Sequence, residues 1–326
     1  MTQSHYIFIG GLPRTGTTLV RNILNRFDNI AICGETQYFG NPKVITSAWQ
    51  TILNRAENEM SQLDSGIVQP VVSARWVLAR IGDISTDEGA RRVVDFMFDQ
   101  LPFEIDRAYW HWLPQNVDRA QFLSRFLASD RTERALFQLM LACYAGEKPI
   151  RGEKTPAHIH YLPTLMSWFP NAKFIHTFRD VRAIFMSQKT KKATQENVNP
   201  RLELIRQSNL IYEGYMATGI VIRWLRSIQL HHQYQQRYPN NYYLLKFEDL
   251  IRDPETELRA LCRFLEIDFA PDALEMKVVN SSFDKSNNAG FERLSINRWQ
   301  QFIHPITSKF IVSLCGKHLS QFDYQL

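Results

Sequence analysis

The sequence predicts an α/β fold with three layers, a parallel sheet flanked by helices, on three observations. Short apolar runs that read as buried strands alternate with helical periodicity, the pattern of a mostly parallel sheet. The first of these runs, YIFIG (6–10), leads through the glycine-rich turn GGLPRTGTT into a helical pattern, so the sheet is P-loop-like. Between about 40 and 150 strand signals stop and helical periodicity continues, which predicts a helical cap inserted into a single domain of 326 residues.

The elements follow in order. TTLVRNILNRF (17–27) has the spacing of an amphipathic helix, and NIAICGETQYF holds a short strand, AIC, ending at Gly34-Glu35. ARRVVDFMFDQL and RAQFLSRFL carry the cap's helical period. Strand signals return at NAKFIHTF (171–178), with a helix from about Val181 and a long helix over roughly 203–237. NNYYLLKF (240–247) is a further strand, and DPETELRALCRFLEI is a helix opened by Asp253-Pro254. Ligands of such sheets bind at the carboxyl ends of strands, and every candidate below follows a strand.

Composition bounds the partners. The net charge is +5 with Lys and Arg scattered, which suits an anionic ligand and gives no basic run for nucleic acid. Cys33, Cys143, Cys262 and Cys315 stand far apart, so neither a zinc site nor a disulfide framework is expected. The start MTQSHYIFIGG lacks the charged and apolar regions of a signal peptide, and no apolar stretch nears the ~20 residues of a membrane helix. A soluble, cytoplasmic protein without membrane insertion is the expectation.

The turn Gly11-Leu12-Pro13-Arg14-Thr15-Gly16-Thr17-Thr18 has the spacing of a phosphate loop, with Thr17 where the lysine of G-x-x-x-x-G-K-[ST] belongs and a cation at Arg14. Backbone N–H groups at a helix start, with Thr15, Thr17 and Thr18 hydroxyls, would hold an anion; a tight turn capped by Thr is the plain alternative. The missing lysine argues against a γ-phosphate and its Mg²⁺. In FRDVRAIFMSQKTKK, Arg179 ends a strand and Ser187 lies eight residues on, inside the next helix. The two would grip a second phosphate if the chain curls back; otherwise Arg179 pairs with Asp180 or Glu248 and Ser187 faces solvent.

These two motifs, in this order, resemble the sulfotransferases that use 3′-phosphoadenosine 5′-phosphosulfate (PAPS), nearest the tyrosylprotein and bacterial type. LPRTGTTLV resembles the 5′-phosphosulfate loop and FRDVRAIFMS the 3′-phosphate motif. YYLLKFEDLIRDPETELRALCRFLEI resembles the family's late strand and helix, and SSFDKSNNAGFERLSINRW its C-terminal donor-binding segment. The resemblance implies donor contacts from Pro13, Arg14, Thr15, Gly16, Thr17, Thr18, Arg179, Ser187, Lys191, Phe247, Arg293 and Arg298, with Ser281 and Ser282 beside them. Phe247 stands where the family often has Tyr near the adenine.

The resemblance also implies that Glu35, in AICGETQYF, is the general base and that Lys154, in RGEKTP, contacts the transferring group. Taken from the residues alone, the plain alternatives are an N-cap or a structural partner of an arginine for Glu35 and a solvated charge for Lys154. EKTPAHIH puts Pro156 where cytosolic members carry a base histidine, so His158 and His160 are read as packing or capping residues. Trp49, Trp76, Trp110 and Trp112 line an acceptor pocket or belong to the core.

The implied reaction moves a sulfuryl group from PAPS to a hydroxyl, less readily an amine, without metal, the acceptor being a small molecule, a sugar or a peptide. Arg14 and Lys154 would meet the developing charge. A small-molecule kinase of the P-loop type and a nucleotide-binding module without chemistry are the alternatives.

Overall fold

The computed structural model describes residues 5–39, 82–99, 110, 112–193, 208–275, 291 and 293–326. Trp49, Trp76, Ser281, Ser282, much of the expected cap and the start of the long helix lie outside them. The sheet has five parallel strands in the order β2-β3-β1-β4-β5. They are β1 (His5–Gly11), β2 (Ile30–Cys33), β3 (Ile150–Lys154), β4 (Lys173–Phe178) and β5 (Tyr242–Lys246).

Alternation along the strands builds two cores from one sheet. Ile7 and Ile9 of β1 face α1 (Thr17–Leu24), joined there by Ile32, Ile175 and Leu245. Tyr6 and Phe8 face the other way, against helices of the cap and against Phe174 and Tyr242. The cap residues on that side come from α2 (Asp87–Asp99), α3 (Arg119–Leu127) and α4 (Glu133–Ala145). Helix α5 (Leu162–Trp168) follows β3, and α6 (Val181–Ala193) follows β4. A third cluster joins α6 to the long α7 (Asn209–Arg237) and to the C-terminal part of the chain, around Trp224 and Phe178. After β5 come α8 (Phe247–Arg252) and α9 (Pro254–Leu265), the latter capped by Asp253, whose carboxylate accepts the Thr256 N–H at 3.3 Å. Helix α10 (Pro305–Gln321) closes the chain against α7.

The structure adds a strand and shortens a helix relative to the expectation. The sequence was expected to be helical to about 150 with strands resuming at 171, yet β3 begins at Ile150 and lies between β2 and β1. Its sequence, IRGEK, has one apolar residue, so no strand pattern marks it. It forms because Gly152 lets the strands pack: a Cβ there would stand 2.0 Å from the Ile7 carbonyl oxygen. Helix α1 also ends at Leu24, short of the expected Phe27.

The topology places the site. The chain leaves β1 toward β2 and leaves β4 toward β5, in opposite directions across the sheet, so the carboxyl ends of β1 and β4 bound a crevice. Among the described residues no helix is long and apolar enough to cross a membrane. All four cysteines are buried thiols, and burial pushes each of their pKa values up.

Candidate active site

The crevice begins at the β1–α1 turn. Gly16 adopts a left-handed conformation (φ 96°) as the N-cap of α1, and it offers no side-chain hydrogen bond. No N-cap side chain therefore covers the first N–H groups of α1, at the positive end of the helix. Thr15 does something other than expected. Its buried hydroxyl lies 2.7 Å from Leu12 O and 2.6 Å from Thr177 Oγ1, so it fastens the turn to β4. Thr17 is buried, Thr18 half-buried, and Pro13 is exposed at the tip of the turn.

Arg14 is also left-handed (φ 77°), a conformation that costs a side chain roughly 1–2 kcal/mol. Its side chain reaches α6, the helix that follows β4. Arg14 Nε donates to Ser187 Oγ at 2.8 Å, and Arg14 O accepts from Arg179 Nη1 at 3.2 Å. The two ends of FRDVRAIFMS thus meet through Arg14, with Ser187 buried on α6. No curling back of the chain is needed.

Arg179 itself is not ion-paired to Asp180 or Glu248. Asp180 binds Arg182 at 2.7 Å, while Glu248 accepts the Asp180 N–H and the Tyr324 hydroxyl, each at 3.0 Å. Arg179 instead donates its second Nη to Ser295 O at 3.2 Å and stacks 3.9 Å over the Phe247 ring. Its Nε is buried without a partner. Burial lowers its pKa, and Glu248 opposes that shift. Phe247 also closes on the turn, since a Cβ on Gly16 would stand 2.8 Å from its ring. Of the remaining expected contacts, Lys191 is exposed on the last turn of α6, and Arg293 is exposed with Nη2 on Arg252 O at 2.9 Å. Arg298 starts the short turn whose Trp299 packs under Arg182.

The second half of the site stands on β2 and β3. Lys154 Nζ lies 2.6 Å from Glu35 Oε1, and Gln37 Nε2 donates to Glu35 Oε2 at 3.1 Å. Lys154 is almost wholly buried, while Glu35 keeps 31% of its side chain exposed, so the carboxylate is the accessible member. Strands lie ~4.8 Å apart, which puts the β3 and β4 ends, two strands apart, at roughly 10 Å.

His158 cannot reach a ligand. It is fully buried between Phe39 and Phe137, with Nδ1 2.7 Å from Glu153 Oε2 but out of line for a hydrogen bond. His160 is held neutral, with burial lowering its pKa to about 4. Trp110 is core, its indole N–H on Thr36 O at 2.7 Å; Trp112 stacks edge-on to Tyr144. Sequence reasoning missed Gln37, Thr36, Thr155 and Glu153. Only the proximity of Glu153 to Lys154 in GEKTP could have drawn attention to it. Among the described residues no group of His, Cys, Asp or Glu is arranged to hold a metal ion.

The β1–α1 turn and the Glu35–Lys154 pair thus stand at the carboxyl ends of adjacent parallel strands of a P-loop-like fold. The chain belongs to the sulfotransferase family, whose model matches residues 6–271. It is 22% identical over 268 residues to a putative protein-tyrosine sulfotransferase of Caenorhabditis briggsae, covering 82% of this chain and 68% of that one. Two solved structures share the fold. The sulfotransferase domain of the Synechococcus PCC 7002 olefin synthase superposes with a TM-score of 0.53 at 17% identity, over 99% of this chain and 96% of that one. The sulfotransferase domain from the curacin biosynthetic pathway gives 0.51 at 15% identity, over 100% of both.

Proposed function

We propose that this sulfotransferase takes its sulfuryl group from PAPS and delivers it to a hydroxyl of the acceptor, with Glu35 as general base. The observation that supports this best is the split of the crevice. Arg14, Arg179, Ser187 and the α1 N–H groups gather donors at β1 and β4, and the accessible Glu35 carboxylate stands beside Lys154 at β2 and β3.

PAPS supplies a sulfur bonded to a good leaving group, the 5′-phosphate oxygen of a nucleotide bisphosphate. The α1 N–H groups hold the 5′ end and Arg179 with Ser187 the 3′-phosphate. Glu35 Oε accepts the acceptor's proton as the acceptor oxygen bonds to sulfur. Lys154 meets charge on the transferring group, and Arg14 meets the charge left on the nucleotide as the old S–O bond breaks. Heat melting tests the donor. PAP in EDTA at a hundred times its dissociation constant raises stability by roughly 2.7 kcal/mol. A shift produced by ATP with Mg²⁺ and not by PAP would instead support a kinase.

A further inference from the structure

We propose that Glu153 is a positioning residue for Glu35, acting through Thr36, Thr155 and Gln37. The inference rests on the reading of Glu35 as the base.

Glu153 is fully buried on β3, where its neighbours in register are Phe8 and Cys33. An ionisable group there is costly to the fold, since a packed apolar residue would serve a central strand at least as well. Its hydrogen bonds show what it does. Glu153 Oε1 accepts the Thr36 N–H at 2.8 Å, the Thr36 hydroxyl at 3.1 Å, and the Thr155 hydroxyl. Thr155 Oγ1 in turn accepts the Gln37 N–H at 3.3 Å, and Thr36 Oγ1 accepts the Tyr38 N–H at 3.2 Å. Three consecutive backbone N–H groups after Glu35 are thus bonded, directly or through one hydroxyl, to a single carboxylate oxygen.

This bracket imposes a shape. Gln37 is held left-handed (φ 51°), which an L side chain adopts at a cost. In that conformation its carboxamide turns back and donates to Glu35 Oε2, opposite Lys154 on Oε1. The carboxylate is therefore gripped at both oxygens, and one grip depends on Glu153. His158, with Nδ1 2.7 Å from the second Glu153 oxygen, fills the remaining space, its ring held by Phe39 and Phe137. Displacement of a reacting group by ~1 Å costs about 10²-fold in rate, so loss of the bracket reads out in turnover.

The test uses Glu153→Met, Thr155→Val and Glu153→Gln, each alone and combined with Glu35→Gln. Turnover is read as PAP release from PAPS, with water or 4-nitrophenol as acceptor, whichever the native protein uses faster. Amide hydrogen exchange at residues 36–38 is read alongside. Glu153→Met and Thr155→Val should speed exchange at 36–38 and lower kcat by roughly 10–100-fold, with the PAP dissociation constant within about twofold of native. Glu153→Gln should stay near native, because its amide oxygen still accepts the three donors. In the Glu35→Gln background the same changes should lower kcat by less than about twofold, since a positioning effect has nothing left to position. Full additivity there, weakened PAP binding, or unchanged exchange at 36–38 would each overturn the proposal. Thr155→Val carries the test if Glu153→Met does not fold. Native turnover in Glu35→Gln alone would remove the base reading, and the exchange result would still report on the bracket.

Discussion

The two halves of the crevice are built on opposite electrostatic plans. At β1 and β4, Arg179 directs its guanidinium to two carbonyl oxygens and a ring face, with no carboxylate within ion-pair distance among the described residues. At β2 and β3, Lys154 is paired with Glu35, and the buried Glu153 accepts from two hydroxyls and an N–H. The difference teaches what each half is suited to. An arginine that donates to two carbonyl oxygens and stacks on a ring face suits a multiply anionic ligand. A carboxylate paired with a lysine and still partly exposed suits a neutral hydroxyl whose proton must be taken.

The change expected to matter most tests the second half. Glu35→Gln keeps side-chain volume and hydrogen bonding, so PAP affinity should hold while turnover drops by about 10²–10⁴, the usual worth of a positioned base. His158→Ala should cost far less, because His158 lies wholly behind the site. A turnover collapse confined to His158→Ala, or loss of PAP binding in Glu35→Gln, would erase the division of labour.

Such comparisons belong above pH 6.5, for a reason that lies outside both halves. Under the sheet, His176 bonds the Tyr242 hydroxyl at 2.5 Å and Ser227 at 3.0 Å, and His231 meets the same tyrosine at 3.0 Å. Burial lowers the His176 pKa well below its ordinary value and those of His160 and His231 to about 4. The unfolded chain then binds more protons between pH 6.5 and 4, so stability is complete above 6.5 and is lost as pH falls through that window. Linkage puts the loss at up to about 3 kcal/mol for each of His160 and His231. Chemical denaturation from pH 7.5 to 4 measures it, and a flat profile would mean that these rings are charged in the fold.

The first half is tested by Arg179→Ala. Binding of PAP should weaken by roughly 1.5–3 kcal/mol, about 10- to 150-fold, with a far smaller effect on adenosine 5′-phosphosulfate, which lacks the 3′-phosphate. Equal losses for the two ligands would make Arg179 a structural brace. The smallest effect belongs to Ser187→Ala, which removes the acceptor of Arg14 Nε. A loss of about 0.5–1.5 kcal/mol in PAP affinity is expected, readable by calorimetry, and no loss would show that Arg14 is held by the turn alone.

Much of this was legible in the sequence, and what was not has a common cause. YIFIG, NAKFIHTF and YYLLKF announce buried strands because both faces of a covered sheet demand apolar residues. IRGEK hides its strand because β3 delivers Glu153 and Lys154 to the site instead of filling the core. Gly11 to Thr18 reads locally, since spacing along the chain is spacing in the turn. The Arg14–Ser187 contact does not, because it joins residues 173 apart and depends on a backbone angle no motif records. Glu35 and Lys154 were visible as types, and their pairing only as topology.

The insertion of β3 between β1 and β2 also sets an order on assembly. The first two strands to be made never pair with each other; His5 waits for Ile150, and Ile7 for Lys173. Closing such long loops delays the reward for folding, so the central strand stays bare on both edges while nearly half the chain emerges from the ribosome. During that interval YIFIG is an unpaired apolar segment of the kind that chaperones hold and aggregates recruit. The strand that covers the first edge of β1 also brings Lys154 to Glu35, so the carboxylate–lysine pair forms only in a chain that has begun to escape this hazard.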